Sequence, residues 1–204
     1  WSSQYAGVWH LGEPTGAALD STSGHRDLTP GAAPPASTPA AIGDGRAFDE
    51  ASMMDVLCGA TAIVDGAGSF SYSAWMNVGT VEGAFDTPLG AGGESADSQG
   101  FSFELTATTM RADVGDGVTN EYLEDVRPVE GTWTSVVAVV DRAAGQFQLY
   151  HDGGYDQMVE LSAITGVISN PGRPMCLGGS YGFTGGLDEV RVYSAALSSA
   201  WIRA

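Results

Sequence analysis

Lysine is missing from this chain of 204 residues: all eight basic side chains are arginines, set against 25 Asp and Glu, for a formal net charge of −17. A surface this acidic repels phosphate backbones, which excludes nucleic acid as a partner and disfavours anionic membranes. Cations are the favoured partners, although an acidic surface that only keeps the chain soluble or salt-tolerant would give the same count. No run of about 18 apolar residues occurs, so no membrane span is expected. A signal peptide is also lacking, and residues 1–9 already read as folded strand, so the chain reads as a piece of a longer precursor. Helical periodicity is nearly missing. Only two cysteines, Cys58 and Cys176, are present, without zinc-ligand spacing. They fit one disulfide in an oxidising, extracellular compartment; two separate buried thiols are the alternative.

What is abundant points to strands. The 29 Gly and nine Pro supply many turns, and the 43% hydrophobic content suffices for a sizeable core. Residues 70–78 alternate, with Phe70, Tyr72, Ala74, Met76 and Val78 on one face. Phe101, Phe103 and Leu105 repeat the pattern, and residues 146–151 alternate again before the tight turn Asp152-Gly153-Gly154. Residues 132–140 read as a strand covered on both sides, and residues 187–193 as the last clear strand. Residues 195–204 suggest a short helix capped by Ser194. Residues 29–45 and 82–99 read as long loops, and no internal repeat is present. The fold class expected is all-β: one two-sheet antiparallel sandwich over residues 1–204 with a short C-terminal helix.

Several segments together carry a resemblance. They are Gly7-Val8-Trp9-His10-Leu11-Gly12-Glu13, Asp20-Ser21-Thr22, Gly45-Arg46-Ala47-Phe48-Asp49 and Phe70-Ser71-Tyr72-Ser73-Ala74-Trp75. Further on come Gly131-Thr132-Trp133, the stretch from Val139 to Gly153, and Gly185-Gly186-Leu187-Asp188-Glu189-Val190-Arg191-Val192-Tyr193. In order and spacing the chain resembles the laminin-G-like jelly-roll domains of bacterial secreted proteins, within the concanavalin A-like lectin and glucanase superfamily. The resemblance implies two face-to-face sheets, one concave and one convex. It implies an extracellular adhesive or carbohydrate-associated module, with a carbohydrate or protein ligand and further domains of a parent chain as partners. Fold alone does not supply the function.

The resemblance also implies a site. Related jelly-roll glucanases hold a structural calcium through an aspartate, a glycine carbonyl and a first-strand carbonyl, which map to Asp188, Gly45 and the backbone near His10 or Leu11. Strand parity sets Asp188 with Val190 and Val192, which read as core-facing, and a carboxylate there needs a partner or a cation. The alternative is an Asp188 that only accepts backbone N–H groups. Residues 113–125 gather oxygen donors without EF-hand spacing and read as a solvated acidic loop. The glucanase pattern Glu-x-Asp-x-x-Glu is missing; Glu104 is the lone carboxylate of its strand, beside Ser102 and Thr106, so no catalytic residue is assigned. His10, His25 and His151 are scattered in sequence, and no nucleophile elbow occurs. Trp9, Trp75 and Trp133 read as core aromatics, whereas Tyr155 and Tyr181, in glycine-rich loops, are the candidates for stacking on a ligand. A non-catalytic binding module is the leading reading. A structural spacer domain and an enzyme with an unrecognised site are the alternatives.

Overall fold

Period-two alternation dictates most of the computed structural model, which describes residues 3–49, 56–81, 84–93, 95, 97–179 and 182–204. The strands are Tyr5–Trp9 (β1), Thr29–Pro30 (β2), Ala36–Pro39 (β3), Asp44–Phe48 (β4), Leu57–Gly59 (β5), Phe70–Val78 (β6), Asp86–Gly90 (β7) and Gly100–Leu105 (β8). They continue as Thr109–Gly115 (β9), Asn120–Val126 (β10), Trp133–Asp141 (β11), Gln146–His151 (β12), Gly154–Glu160 (β13), Met175–Leu177 (β14) and Gly185–Tyr193 (β15), before one helical turn, Ser199–Ile202 (α1). They form two antiparallel sheets. The first runs β13-β12-β11-β6-β15-β4-β3, with β1 also paired to β15. The second runs β10-β9-β8-β7-β14-β5-β2.

The core lies between the sheets and is built from the alternating faces. Phe70, Tyr72, Ala74, Met76 and Val78 of β6 meet Phe101, Phe103 and Leu105 of β8, all buried. The Tyr72 ring packs against Phe101 and Phe103 at centroid distances of 4.8 and 4.7 Å. Its hydroxyl lies 3.1 Å from the carbonyls of Ser102 and Asp113, so the buried polar tip is satisfied. Burial, with the charges of Asp113 and Glu104 behind it, holds that phenol well above its usual pKa, so it stays a neutral donor. Val136, Ala138 and Val140 of β11 face this core, while Val137 and Val139 are covered by Ala196, Leu197 and Ile202 from the C-terminal segment.

Three stretches read as loops contain strands. Residues 29–45 hold β2, β3 and the start of β4; residues 82–99 hold β7; residues 113–125 form much of the β9–β10 hairpin. The first two lack clean alternation for a physical reason. β2 and β3 end their sheets, where a strand has one neighbour and tolerates proline. β7 carries a register shift between Asp86 and Leu89, and a bulge breaks the period. β9 is in fact buried, with Met110, Ala112 and Val114 inward. The helix also starts later than its sequence suggests. Ser198 is the cap, accepting from Trp201 N at 3.3 Å, whereas the Ser194 N–H donates to Gln4 O.

Cys58 and Cys176 are bonded, with Cα atoms 4.2 Å apart and 118 positions between them. They stand directly opposite each other in the β5–β14 pair. Both strands have only three residues, so the covalent link holds a pairing that few hydrogen bonds support.

Candidate functional site

A bulge in the last strand builds the first site. Leu187 pairs with Met76 and Asp188 with Trp75, but the next partner of β6, Ser73, pairs with Arg191. One residue is extra, and Glu189 absorbs it at φ +50°. The insertion flips the parity. Asp188 therefore stands on the outer side with Trp75, not on the Val190 and Val192 face expected from the sequence. It is nonetheless fully buried. Its Oδ2 accepts from Ile42 N at 2.8 Å, while Oδ1 is buried with no hydrogen-bond partner among the described residues. Burial raises its pKa to about 6, against the opposing Ile42 N–H bond and with the neighbouring Glu189 charge adding to the rise.

Two other segments close on this carboxylate. A Cβ at Gly45 would sit 2.5 Å from the Leu187 carbonyl oxygen and 3.3 Å from Asp188 Cβ, so only glycine lets the β3–β4 hairpin approach. On its other side the Asp44 carbonyl oxygen lies 3.6 Å from where a Gly12 Cβ would be. The Gly12 backbone just beyond the first strand, the hairpin turn and Asp188 thus lie near one another. The donors on offer there are carboxylate and carbonyl oxygens, the hard ligands calcium takes. The His10 ring is engaged elsewhere: its Nδ1 lies 2.6 Å from Glu189 Oε1, and Arg191 pairs with the same carboxylate.

The second site lies on the outer face of the first sheet. Asp152 and Gly153 both have positive φ, as a type I′ turn demands, and they fold β13 back on β12. Tyr155 therefore lies in a strand rather than a loop, opposite Tyr150. The two rings meet edge-on at 5.4 Å, and Tyr155 remains 55% exposed. They line a groove of about 490 Å³ with Gln146, Gln148, Asp141 and Met158 on its floor and Ser198, Ser199 and Arg203 on the helix side. Tyr150 OH donates to Gln148 Oε1 at 2.8 Å, and Gln148 Nε2 donates to Gln146 Oε1 at 3.1 Å. Tyr181 lies outside the described residues. Trp9 is buried, but Trp75 and Trp133 are only half-buried and stand outward. This corrects their assignment to the core; their flanking outward partners, Ser73, Asn77 and Ser135, are the polar half of the alternation.

The third region is the outer face of the second sheet. Glu104 is not isolated there: Asp113 comes from the adjacent strand β9, whereas Asp86 of β7 stands opposite the core-facing Leu105. Asp113 stands opposite Ser102, and Arg111 opposite Glu104. Arg111 bonds Asp113 Oδ1 at 2.6 Å and stacks over the Tyr122 ring at 4.0 Å. Asp86, Glu104 and Asp113 are all at most 4% exposed. Sequence reading within one strand missed this gathering. The outward parity of Arg111 and Asp113, opposite to Met110, Ala112 and Val114, was the signal available.

A family model described as the concanavalin A-like lectin/glucanases superfamily matches residues 54–203. No curated protein matches the chain by sequence. Solved structures match over its whole fold. The binding domain of Paraclostridial Mosquitocidal Protein 1 aligns at TM-score 0.76 and 12% identity, over 98% of this chain and 51% of that one. The binding domain of Botulinum Neurotoxin DC in complex with SialylT aligns at TM-score 0.76 and 10% identity, over 98% and 50%. The same toxin domain in complex with rat synaptotagmin II aligns at 0.74 and 12%, over 98% and 50%. The chain thus spans about half the length of these structures, and the likeness is one of fold.

Proposed function

Because the chain belongs to the concanavalin A-like lectin/glucanase superfamily, we propose that it is a non-catalytic binding module of a secreted protein, taking a glycan in the Tyr155 groove and steadied by calcium at Asp188. The groove carries this reading. An exposed aromatic face beside amides, hydroxyls, a carboxylate and a guanidinium is the combination that stacks on a sugar ring while bonding its hydroxyls. The relatives in fold favour ligand binding as well: one is a complex with SialylT and another with rat synaptotagmin II. A disulfide suits an oxidising, extracellular compartment.

Burial of the carboxylates argues against catalysis. A glycosidase needs its acid and its second carboxylate open to the substrate, and Asp86, Glu104 and Asp113 are closed off. A panel of laminarin and lichenan is expected to release no reducing sugar above a protein-free control. Release that Glu104→Gln abolishes would overturn the non-catalytic reading.

The binding reading is tested by a glycan array followed by calorimetry on its best ligand. Tyr155→Ala is expected to weaken affinity by about 5- to 30-fold, the loss of roughly 1–2 kcal/mol typical of an aromatic anchor. Its melting temperature should stay near the parent value, since the side chain is mostly exposed. Unchanged affinity in Tyr155→Ala would remove the groove from the account.

A further inference from the structure

The gap between the two sheets is bridged on one side by strand ends that carry a second set of metal-type donors. β13 ends the first sheet and β10 ends the second. A Gln157 Nε2 bond to Glu124 O at 2.7 Å ties these edges together. Next to that bond, Asp125 of β10, His151 at the end of β12 and Asp156 of β13 converge, with one ligand atom from each lying within 4.8 Å of the others. The imidazole is turned into the gap between the carboxylates: Nδ1 lies 2.6 Å from Asp156 Oδ2 and 3.4 Å from Asp125 Oδ2. All three side chains are three-quarters or more buried. The other ring nitrogen, Nε2, is shut off from solvent with no hydrogen-bond partner among the described residues, so the ring's polar contacts there are made on the Nδ1 side.

We infer that Asp125, His151 and Asp156 form a binding site for a divalent transition cation of the zinc type, distinct from the oxygen-only surroundings of Asp188. One imidazole nitrogen and two carboxylate oxygens suit zinc-type ions, whereas calcium and magnesium select all-oxygen sets. Bonds of about 2.0–2.2 Å to each donor put neighbouring ligand atoms roughly 3.3 Å apart. The His151–Asp125 spacing already matches, and the His151–Asp156 pair needs to open by less than about 1 Å. Three protein ligands leave a position for water or for an oxygen of a bound partner. Two acidic groups facing one imidazole also call for positive charge between them. The ion would clip the edge of one sheet to the edge of the other.

The test is calorimetric titration of tag-free, chelator-stripped protein with zinc chloride, in excess calcium so that calcium-selective sites are filled. One zinc per chain is expected, with a rise in melting temperature and a shift of the His151 ring nitrogen resonances. His151→Gln and Asp125→Asn, near in size to the originals, should each weaken binding by at least about 10-fold. Asp188→Asn should bind zinc like the parent. Two variants on different strands guard against a single misfolded one. If the parent takes up no zinc, or if both variants bind it undiminished, the three residues are only a histidine held between two carboxylates and the inference is wrong.

Discussion

Stripping calcium from the protein at neutral pH is expected to lower its melting temperature by about 5 to 10 °C. A ligand at a hundredfold excess over its Kd stabilises by about 2.7 kcal/mol, and a domain of this length shifts by roughly 2–4 °C per kcal/mol. The stripped protein then holds a buried Asp188 whose Oδ1 has no partner among the described residues. Its pKa, raised to about 6 from 3.8, gives the sign of a pH effect. The folded state binds the proton more tightly than the unfolded state does, so the stability this one group contributes is highest below about pH 4. It falls as pH rises towards about 6, by about 3 kcal/mol at roughly 1.4 kcal/mol per unit, and stays low above that. Calcium should restore the loss at pH 7. Asp188→Asn removes the charge, and with it both the pH slope and the calcium response. This variant should melt below the calcium-loaded parent but no lower than the stripped one. Melting curves across pH 4 to 7, with calcium or with a chelator, check every part. A parent protein indifferent to chelation would reduce Asp188 to an acceptor for the Ile42 N–H.

Removing the disulfide is expected to cost more. A loop of 118 positions gives about 5 kcal/mol in the chain-entropy description, an upper figure because strain and residual structure in the unfolded chain reduce it. The Cys58→Ser, Cys176→Ser double variant should therefore unfold at clearly lower denaturant concentration. The unreduced parent, denatured, should show no reactive thiol. Two reactive thiols per chain, or a double variant as stable as the parent, would contradict the bond and its role. The short β5 and β14 strands make the loss local as well as global, since the strand pair beside the second-sheet edge loses its link.

The long strands were legible in the sequence because their core-facing side chains are apolar: β6, β8 and β12 alternate apolar with polar residues, and β11 is an apolar run covered on both faces. Edge and bulged strands were not. β3 is largely exposed and β7 breaks its own period, so neither imposes a pattern on its residues. The same cause misplaced Asp188. Counting by twos from Val190 is sound only without a bulge, and the positive φ of Glu189 leaves no mark in a residue type that rarely adopts it. The calcium reading of Asp188, Gly45 and the backbone near His10 came from resemblance, and no local spacing encodes it. Groupings across strands were the least visible: Glu104 with Arg111 and Asp113, and likewise Asp125, His151 and Asp156, depend on sheet order and register. Tyr155 was singled out as a loop aromatic; it is a strand residue whose exposure comes from the outward parity it shares with Tyr150.

The most direct test of the central claim is an NMR titration of the isotope-labelled protein with the best ligand from the glycan array. The account predicts saturable shifts confined to Tyr150, Tyr155, Gln146, Gln148 and the start of the C-terminal helix. Shifts centred instead on Glu104, Arg111 and Tyr122, across the outer face of the second sheet, would place the binding surface on the opposite side of the sandwich and contradict it.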